Sequence, residues 1–256
     1  SANNWSPWSS VWTFVVDTAA PVAPTLISPS DGTITNDNTP TFDWSDVADA
    51  VEYRLQVDND SNFSSPEINI LVSISTYTPA AALADENYSW RAAARDAANN
   101  WSSFSPSWTL LIDTVAPSAP SLIWPAAGEN INDNTPALDW SDVTDPSAPV
   151  TYGVQVDNDS DFSSPRVNVT GLATSTYTTP ELAEGIWYWQ ANARDNAGNT
   201  SAWSSSRSFR VDITAPSAPS LLSPADGTLT NDNTPTFSWT SVTDPSGVTY
   251  TIQVDN

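Results

Sequence analysis

The chain has 256 residues, of which 30 are acidic and only 7 basic, so its formal net charge is −23, and it contains no Cys and no His. This acidity argues against a nucleic-acid partner, because phosphates require a basic protein face. The lack of Cys excludes disulfides and thiolate metal sites, the lack of His removes the commonest general base, and no stretch approaches the about 20 apolar residues of a membrane span.

The sequence repeats itself. The string Asn-Asp-Asn-Thr-Pro begins at Asn36, Asn132 and Asn231, which gives periods of 96 and 99 residues. The three extra residues lie in a Pro-rich polar stretch, where a surface loop tolerates insertion. A unit of this size can hold its own core. We therefore predict four parts: the end (strand G) of a preceding repeat at 1–17, complete β-sandwich repeats at 18–113 and 114–212, and the first strands (A, B and C) of a further repeat at 213–256.

Within each repeat, apolar and polar residues alternate over short stretches bounded by Pro, Gly, Asn and Asp, which is typical of an all-β sandwich. In the second complete repeat the pattern predicts strands A at 120–124, B at 137–140, C at 150–156, E at 175–178, F at 186–194 and G at 207–212. In strand F, Trp187 and Trp189 alternate with Tyr188 and Gln190. Large aromatics on one face of a strand favour a core packed between two sheets over a sugar-binding platform.

A family resemblance follows from these motifs. A Trp in strand B, a Tyr early in strand C, and the string L-x-x-G-x-x-Y at Leu182, Gly185 and Tyr188 resemble a fibronectin type III domain. The string Y-S-W-R-A-A-A-R-D-A-A-N-N-W-S is similar to tandem repeats of large bacterial and archaeal surface proteins and adhesins. The resemblance implies tandem Ig-like, fibronectin III-like β-sandwiches in an extended array. It also implies a tyrosine corner at Tyr188, whereas the first repeat departs from the motif, with Glu86 and Ser89 in the corresponding places.

The string Trp5-Ser6-Pro7-Trp8-Ser9 is similar to the W-S-x-W-S string of cytokine-receptor fibronectin domains, in which Trp rings stack with Arg from strand F. The resemblance implies cation–π pairing of Trp101, Phe104 and Trp203 with Arg91, Arg95 or Arg194. We interpret such pairs as stabilising contacts and not as evidence of a receptor.

Acidic residues gather in the loops expected at the ends of the sandwiches, and we expect Asp244 of the next repeat to face those of the second. The candidate Ca²⁺ ligands are the alternating oxygens of two matching loops and one strand end: Asp58, Asp60 and Asn62; Asp157, Asp159 and Asp161; and Asp212. Two interpretations stay open. Calcium binds hard oxygen ligands and can stiffen the junction, as it does in some long surface adhesins; alternatively, these are solvated Asx-turns.

N-glycosylation acceptor strings also occur in both repeats, and we expect their Asn residues to lie mostly on loops. The candidates are Asn4, Asn59, Asn62, Asn87, Asn100, Asn158, Asn168 and Asn199.

The repetition itself bears on function. Asp37, Asp133 and Asp232 recur in register and so mark architecture, whereas a catalytic site needs a singular cleft. Two prolines in each linker favour a semi-rigid spacer. The sequence predicts a non-catalytic segment of an extracellular fibre, stalk or surface adhesin, partnered by neighbouring repeats or copies of the same protein, and we expect it to be a window from a longer polypeptide. The alternative is a carbohydrate-binding or cell-adhesion module for surface glycans, with the unshared Trp124 as its platform.

Overall fold

The computed structural model describes residues 1–255, and every regular element among them is a β-strand. The chain divides into two compact units, Ser1–Val115 and Ala116–Asn256, each containing one complete β-sandwich. The predicted all-β class of tandem Ig-like, fibronectin III-like sandwiches is confirmed. Asn256, the last residue of the predicted further repeat, lies outside the described residues. Within residues 1–255 there is no helix that could cross a membrane.

The first sandwich has eight strands: β1 (Leu26–Ser28), β2 (Thr33–Thr35), β3 (Phe42–Trp44), β4 (Ala50–Asp58), β5 (Ile68–Val72), β6 (Thr76–Tyr77), β7 (Asn87–Asp96) and β8 (Trp108–Ile112). One sheet has the order β1-β3-β6 and the other β2-β8-β7-β4-β5. All pairs are antiparallel except β2, which runs parallel to β8. The two sheets pack face to face around the core.

The second sandwich repeats this topology with β9 (Leu122–Trp124), β10 (Glu129–Ile131), β11 (Ala137–Trp140), β12 (Thr151–Asp157), β13 (Val167–Leu172), β14 (Thr176–Thr178), β15 (Gly185–Arg194) and β16 (Arg207–Val211). Its sheets have the orders β9-β11-β14 and β10-β16-β15-β12-β13. The six predicted strands all form, as β9, β11, β12, β14, β15 and β16. The prediction omitted β10 and β13, which flank the five-stranded sheet.

The alternation of side chains builds one core in each sandwich. Trp44 and Trp90 are buried in the first, and Trp140 and Trp189 in the second, each at most 1% exposed. Trp140 contacts Trp189 with ring centroids 6.3 Å apart, so a Trp from each sheet meets its partner across the interior. The prediction that these aromatics form the core is confirmed.

The corner onto the loop before strand F differs from the prediction. Tyr88 Oη donates to Ala84 O at 3.2 Å in the first repeat, and Trp187 Nε1 donates to Ala183 O at 2.8 Å in the second. The expectation of a corner at Tyr188 was wrong, because Tyr188 lies one residue further along β15 and therefore on the opposite face. In the first repeat, which departs from the motif at Glu86 and Ser89, Tyr88 makes the corner instead.

The two ends of the chain are less regular than the sandwiches. Residues 1–17, predicted to end in a strand G, form no strand, and residues 213–255 form only β17 (Leu221–Ser223) and β18 (Ser238–Trp239). The predicted strand C near Tyr250 is not formed. In both complete repeats strand G pairs with strand F, and strand C pairs with strand F and with β5 or β13. Neither end has these partners within the described residues.

Candidate functional sites on the loops and the outer sheet face

The acidic loop that follows β4 is held together by its own side chains. Asp58 is buried, and its Oδ1 accepts a hydrogen bond from Asp60 N at 3.0 Å while its Oδ2 accepts one from Ser65 N at 3.3 Å. Asn62 Nδ2 donates to Asp60 Oδ2 at 2.8 Å, and Asn62 Oδ1 accepts from Ser64 N at 2.7 Å. The predicted ligands are thus consecutive Asx-turns that fix the loop.

The matching loop after β12 uses the same bonds. Asp157 is buried and accepts from Asp159 N at 3.3 Å and Ser164 N at 3.2 Å. Asp161 Oδ1 accepts from Ser163 N at 2.8 Å, and the hydrogen bonds of Ser163 lower the pKa of Asp161. Within residues 1–255, no three carboxylates drawn from this loop and Asp212 approach within 4.8 Å of one another. The loop therefore offers no convergent carboxylate cage in this conformation.

Asp212 lies elsewhere, at the end of β16. Its Oδ1 accepts from Thr214 N at 3.4 Å, while its Oδ2 is buried and accepts no hydrogen bond within the described part of the chain. The side chain of Asp244, from the segment that follows, lies against that of Asp212, and Ser246 donates to Asp244 and lowers its pKa. Two carboxylates face each other here. Such an arrangement is favourable only when a cation or a shared proton reduces their repulsion.

A third carboxylate supports the same junction. Glu184 Oε1 accepts hydrogen bonds from Thr214 Oγ1 at 2.6 Å and Ile213 N at 2.9 Å. The bond from Thr214, and then that from Ile213, lower the pKa of Glu184, while the charge of Asp244 raises it. Glu184 thereby fixes the first residues that leave the second sandwich.

Trp124, the proposed ligand platform, is half-buried at the end of β9 and packs against the core of the second sandwich. One side of its ring borders a groove of about 520 Å³ that Asn130, Asp133, Asp212 and Ser246 also line. The core of the sandwich covers part of the ring surface. The groove leaves the rest available to a ligand.

Arginine and aromatic side chains stack on the outer face of the first five-stranded sheet. The guanidinium carbon of Arg91 lies 3.9 Å from the ring centroid of Phe63 and 4.1 Å from that of Phe104. Trp101 lies beneath Arg54 at 4.8 Å and Arg95 at 5.5 Å. The predicted pairing of Trp101 and Phe104 with strand F arginines is confirmed. Phe63 and Arg54 were not predicted.

The second sandwich lacks this stack among its described residues. Gln190 replaces Arg91 and donates through Nε2 to Gln155 Oε1 at 2.8 Å. The expected contact of Trp203 with Arg194 does not form, because Trp203 lies beside the strand at the level of Ala191, where Ser204 N donates to Ala191 O. Arg194 is three residues further along β15. The two repeats therefore share a core but differ on this outer face.

The glycosylation candidates fall into two groups. Asn100 and Asn199 are half-buried, and each Nδ2 donates to a carboxylate, that of Asp96 and that of Asp195, both at 2.8 Å. Their amides hold the turn after strand F, and the hydrogen bonds of Asn100 lower the pKa of Asp96. The other six are exposed: Asn4, Asn59, Asn62, Asn87, Asn158 and Asn168. Glycosylation at all eight stays a prediction.

The comparison with protein families agrees with this architecture. Residues 12–114 match the family model of a bacterial Ig-like domain, and the comparison with curated protein sequences gives no significant match. Among solved structures, the fibronectin(III)-like modules of Clostridium thermocellum CbhA are 14% identical, with a TM-score of 0.45 over 73% of this chain and 93% of that one. The FN1–FN3 domains of chicken CNTN1 are 15% identical, with a TM-score of 0.45 over 74% of this chain and 68% of that one.

Proposed function

We propose that this chain is a structural repeat segment of an extracellular fibre, stalk or surface adhesin, and that it is not an enzyme. Ig-like domains of this kind are typically non-catalytic modules of structure or adhesion and are commonly extracellular. The observation that carries the proposal is that the polar side chains recur as loop supports. Tyr53, Tyr152 and Tyr250 each accept, through Oη, a hydrogen bond at 2.9 Å from a backbone N–H in the segment that follows strand B.

The acidic residues support the same conclusion. Asp58 and Asp157 close one pair of loops, and Asp96 and Asp195 close another, with the same donors in each repeat. A carboxylate that already accepts two or three backbone hydrogen bonds is poorly suited to proton transfer. The same side chains therefore do the same structural work in each repeat. This is what a spacer requires, since each repeat adds length in the same way.

Deleting one repeat tests the spacer role. We compare the 256-residue chain with a chain lacking residues 114–212 by small-angle scattering. The maximum dimensions of the two should differ by roughly 35 Å, the length of a ten-residue strand with its loops. A chain in which 114–212 is replaced by a second copy of 18–113 is the matched control and should restore the length. An unchanged maximum dimension after the deletion would contradict the spacer role.

We further propose that Ca²⁺ stiffens the array through its loop carboxylates, with Asp212 and Asp244 as the principal ligands. The facing carboxylates and the buried Oδ2 of Asp212 support this proposal. Calcium should raise the melting temperature of the chain, and Asp244→Asn should remove most of that increase. Asp161→Asn, in a loop held by its own Asx-turns, is the comparison. If calcium leaves the melting temperature unchanged, or stabilises Asp244→Asn equally, Asp212 and Asp244 are not the ligands.

The second candidate function is recognition of surface glycans through Trp124. The groove beside its ring supports this alternative, because an aromatic ring with amide and carboxylate neighbours is a common arrangement for holding a sugar. A glycan array probed with the chain and with Trp124→Ala distinguishes the two functions. Binding that Trp124→Ala abolishes favours recognition, whereas an array without signal favours the spacer.

A further inference from the structure

The outer face of the second five-stranded sheet contains a groove that the first sandwich lacks among its described residues. In the first sandwich, the indole of Trp101 fills this place between Arg54 and Arg95. The backbone register is the same in both repeats, because Arg95 pairs with Trp101 and Arg194 pairs with Thr200 in matching antiparallel bridges. Thr200 therefore takes the position of Trp101, and a small side chain replaces a large ring.

Two further replacements open the groove. Gly153 faces Asn192 across β12 and β15, whereas Arg54 faces Ala93 at the same place in the first sheet. A Cβ at Gly153 would come close to Asn192 Oδ1, so the amide occupies the space above the glycine. Gly171, with φ of +76°, sits where the pairing of β12 and β13 shifts register. Together these changes leave a groove of about 300 Å³.

The lining of the groove is polar and contains one positive charge. Thr151, Thr170 and Thr200 contribute hydroxyls, Asn192 an amide, and Arg194 the guanidinium, and no acidic residue among the described ones lines the groove. Arg194 is exposed, and its hydrogen bond from Nε to Gly198 O is long at 3.4 Å. It makes no ion pair within residues 1–255. Its terminal nitrogens are available to a ligand.

We propose that this groove binds a sugar that carries a carboxylate, such as a uronic acid. The first repeat shows that the space accepts a flat ring of indole size against the equivalent arginine. A pyranose ring has similar dimensions, and its hydroxyls match the threonines and the amide. Arginine recognises a carboxylate through two parallel hydrogen bonds. The net charge of −23 repels acidic ligands at long range, but the Debye length is only about 8 Å at physiological ionic strength, so the local charge of Arg194 decides.

The test is a titration of the complete 256-residue chain with glucuronate and, in parallel, with glucose, which differs by the carboxylate. Amide chemical shifts of Gly153, Gly171 and Thr200 report binding at the groove. We expect glucuronate to bind with a dissociation constant of about 1 mM, typical of a single sugar held by a few polar contacts. Arg194→Gln removes a charge-assisted pair and should weaken binding about tenfold or more.

Two variants test whether the sugar binds at this groove. Thr200→Trp restores the first repeat's residue and should abolish the shifts while the sandwich stays folded. The reverse change must also free Arg95, which forms an ion pair with Glu52 at 2.7 Å. Trp101→Thr with Arg54→Gly and Glu52→Thr, which introduces the residues of the second repeat at these positions, should open a second binding groove around Arg95. Equal binding of glucose and glucuronate, binding unaffected by Thr200→Trp, or no shifts at these three amides with glucuronate in tenfold excess over the expected constant would each overturn the proposal. None of these outcomes bears on the spacer role, which scattering tests separately.

Discussion

Replacing Arg91 by Gln should destabilise the first sandwich and leave the second unchanged. Arg91 lies between the rings of Phe63 and Phe104 and donates from Nε and its terminal nitrogen to Gln56 Oε1 at 2.9 and 2.8 Å. Glutamine can retain one bond to Gln56, as Gln190 does with Gln155. The loss is therefore mainly two cation–π contacts, about 0.5–1 kcal/mol each, or about 1–2 kcal/mol in total.

For a domain of this size, about 1–2 kcal/mol corresponds to a melting temperature lower by roughly 4–15 °C. Calorimetry of the whole chain measures the shift, and hydrogen exchange of the β7 and β15 amides assigns it to one sandwich. The matched variant is Gln190→Arg, which places a guanidinium beside Phe162 and Trp203 and should stabilise the second sandwich by about 1 kcal/mol. The reasoning fails if Arg91→Gln leaves the melting temperature unchanged, or if exchange rises in β15 as much as in β7.

Three further outcomes follow from single contacts. Trp187→Phe removes the 2.8 Å hydrogen bond to Ala183 O and should lower the free energy of unfolding by about 1–3 kcal/mol. Tyr88→Phe deletes only a hydroxyl and should lower it by less. Urea unfolding of both variants checks which loss is larger. The hydrogen bonds from Thr214 and Ile213 lower the pKa of Glu184. Its contribution to stability is therefore present above the unfolded pKa of about 4.3 and is lost as pH falls through the lower folded pKa. Glu184→Gln should make the melting temperature less dependent on pH in that range, and an unchanged pH profile contradicts this. Gly171→Val forces a β-branched residue into a positive φ and should destabilise by roughly 1–2 kcal/mol, whereas Thr170→Val beside it should change stability by at most about 0.5 kcal/mol; thermal unfolding of the pair checks the difference.

The core and most strands could be predicted because they follow a local rule. Residues with a period of two, such as Trp187 and Trp189, must face the same side of a sheet, and burial decides which side. The corner was assigned to Tyr188 because a motif was matched by residue type, and a one-residue offset moves a side chain to the other face. β10 was not predicted because it has only three residues, two of them polar, and so shows no periodicity.

The outer-face contacts were only partly predictable for a different reason. The pairing of Phe104 with a strand F arginine was predicted from the resemblance to the W-S-x-W-S string, in which aromatic rings stack with arginines of that strand. Phe63 stacks on Arg91 from a loop residue with φ of +56°, a backbone conformation that a bulky side chain seldom adopts and that sequence pattern does not indicate. The open groove at Gly153 likewise depends on the absence of large side chains at Gly153 and Thr200, which come together only in the folded sheet. No single sequence motif indicates this.

The differences between the two repeats lie mainly on one surface, the outer face of the five-stranded sheet. The buried aromatics and the loop carboxylates recur, because changing them would cost packing energy or leave backbone donors unpaired. The outer face of the five-stranded sheet differs between the repeats: the stacked arginines of the first give way to amides, glycines and an open groove in the second. The proposed spacer role and the proposed sugar site therefore use different surfaces of the second repeat: the first depends on the core and the loop carboxylates, the second on the outer face of the sheet.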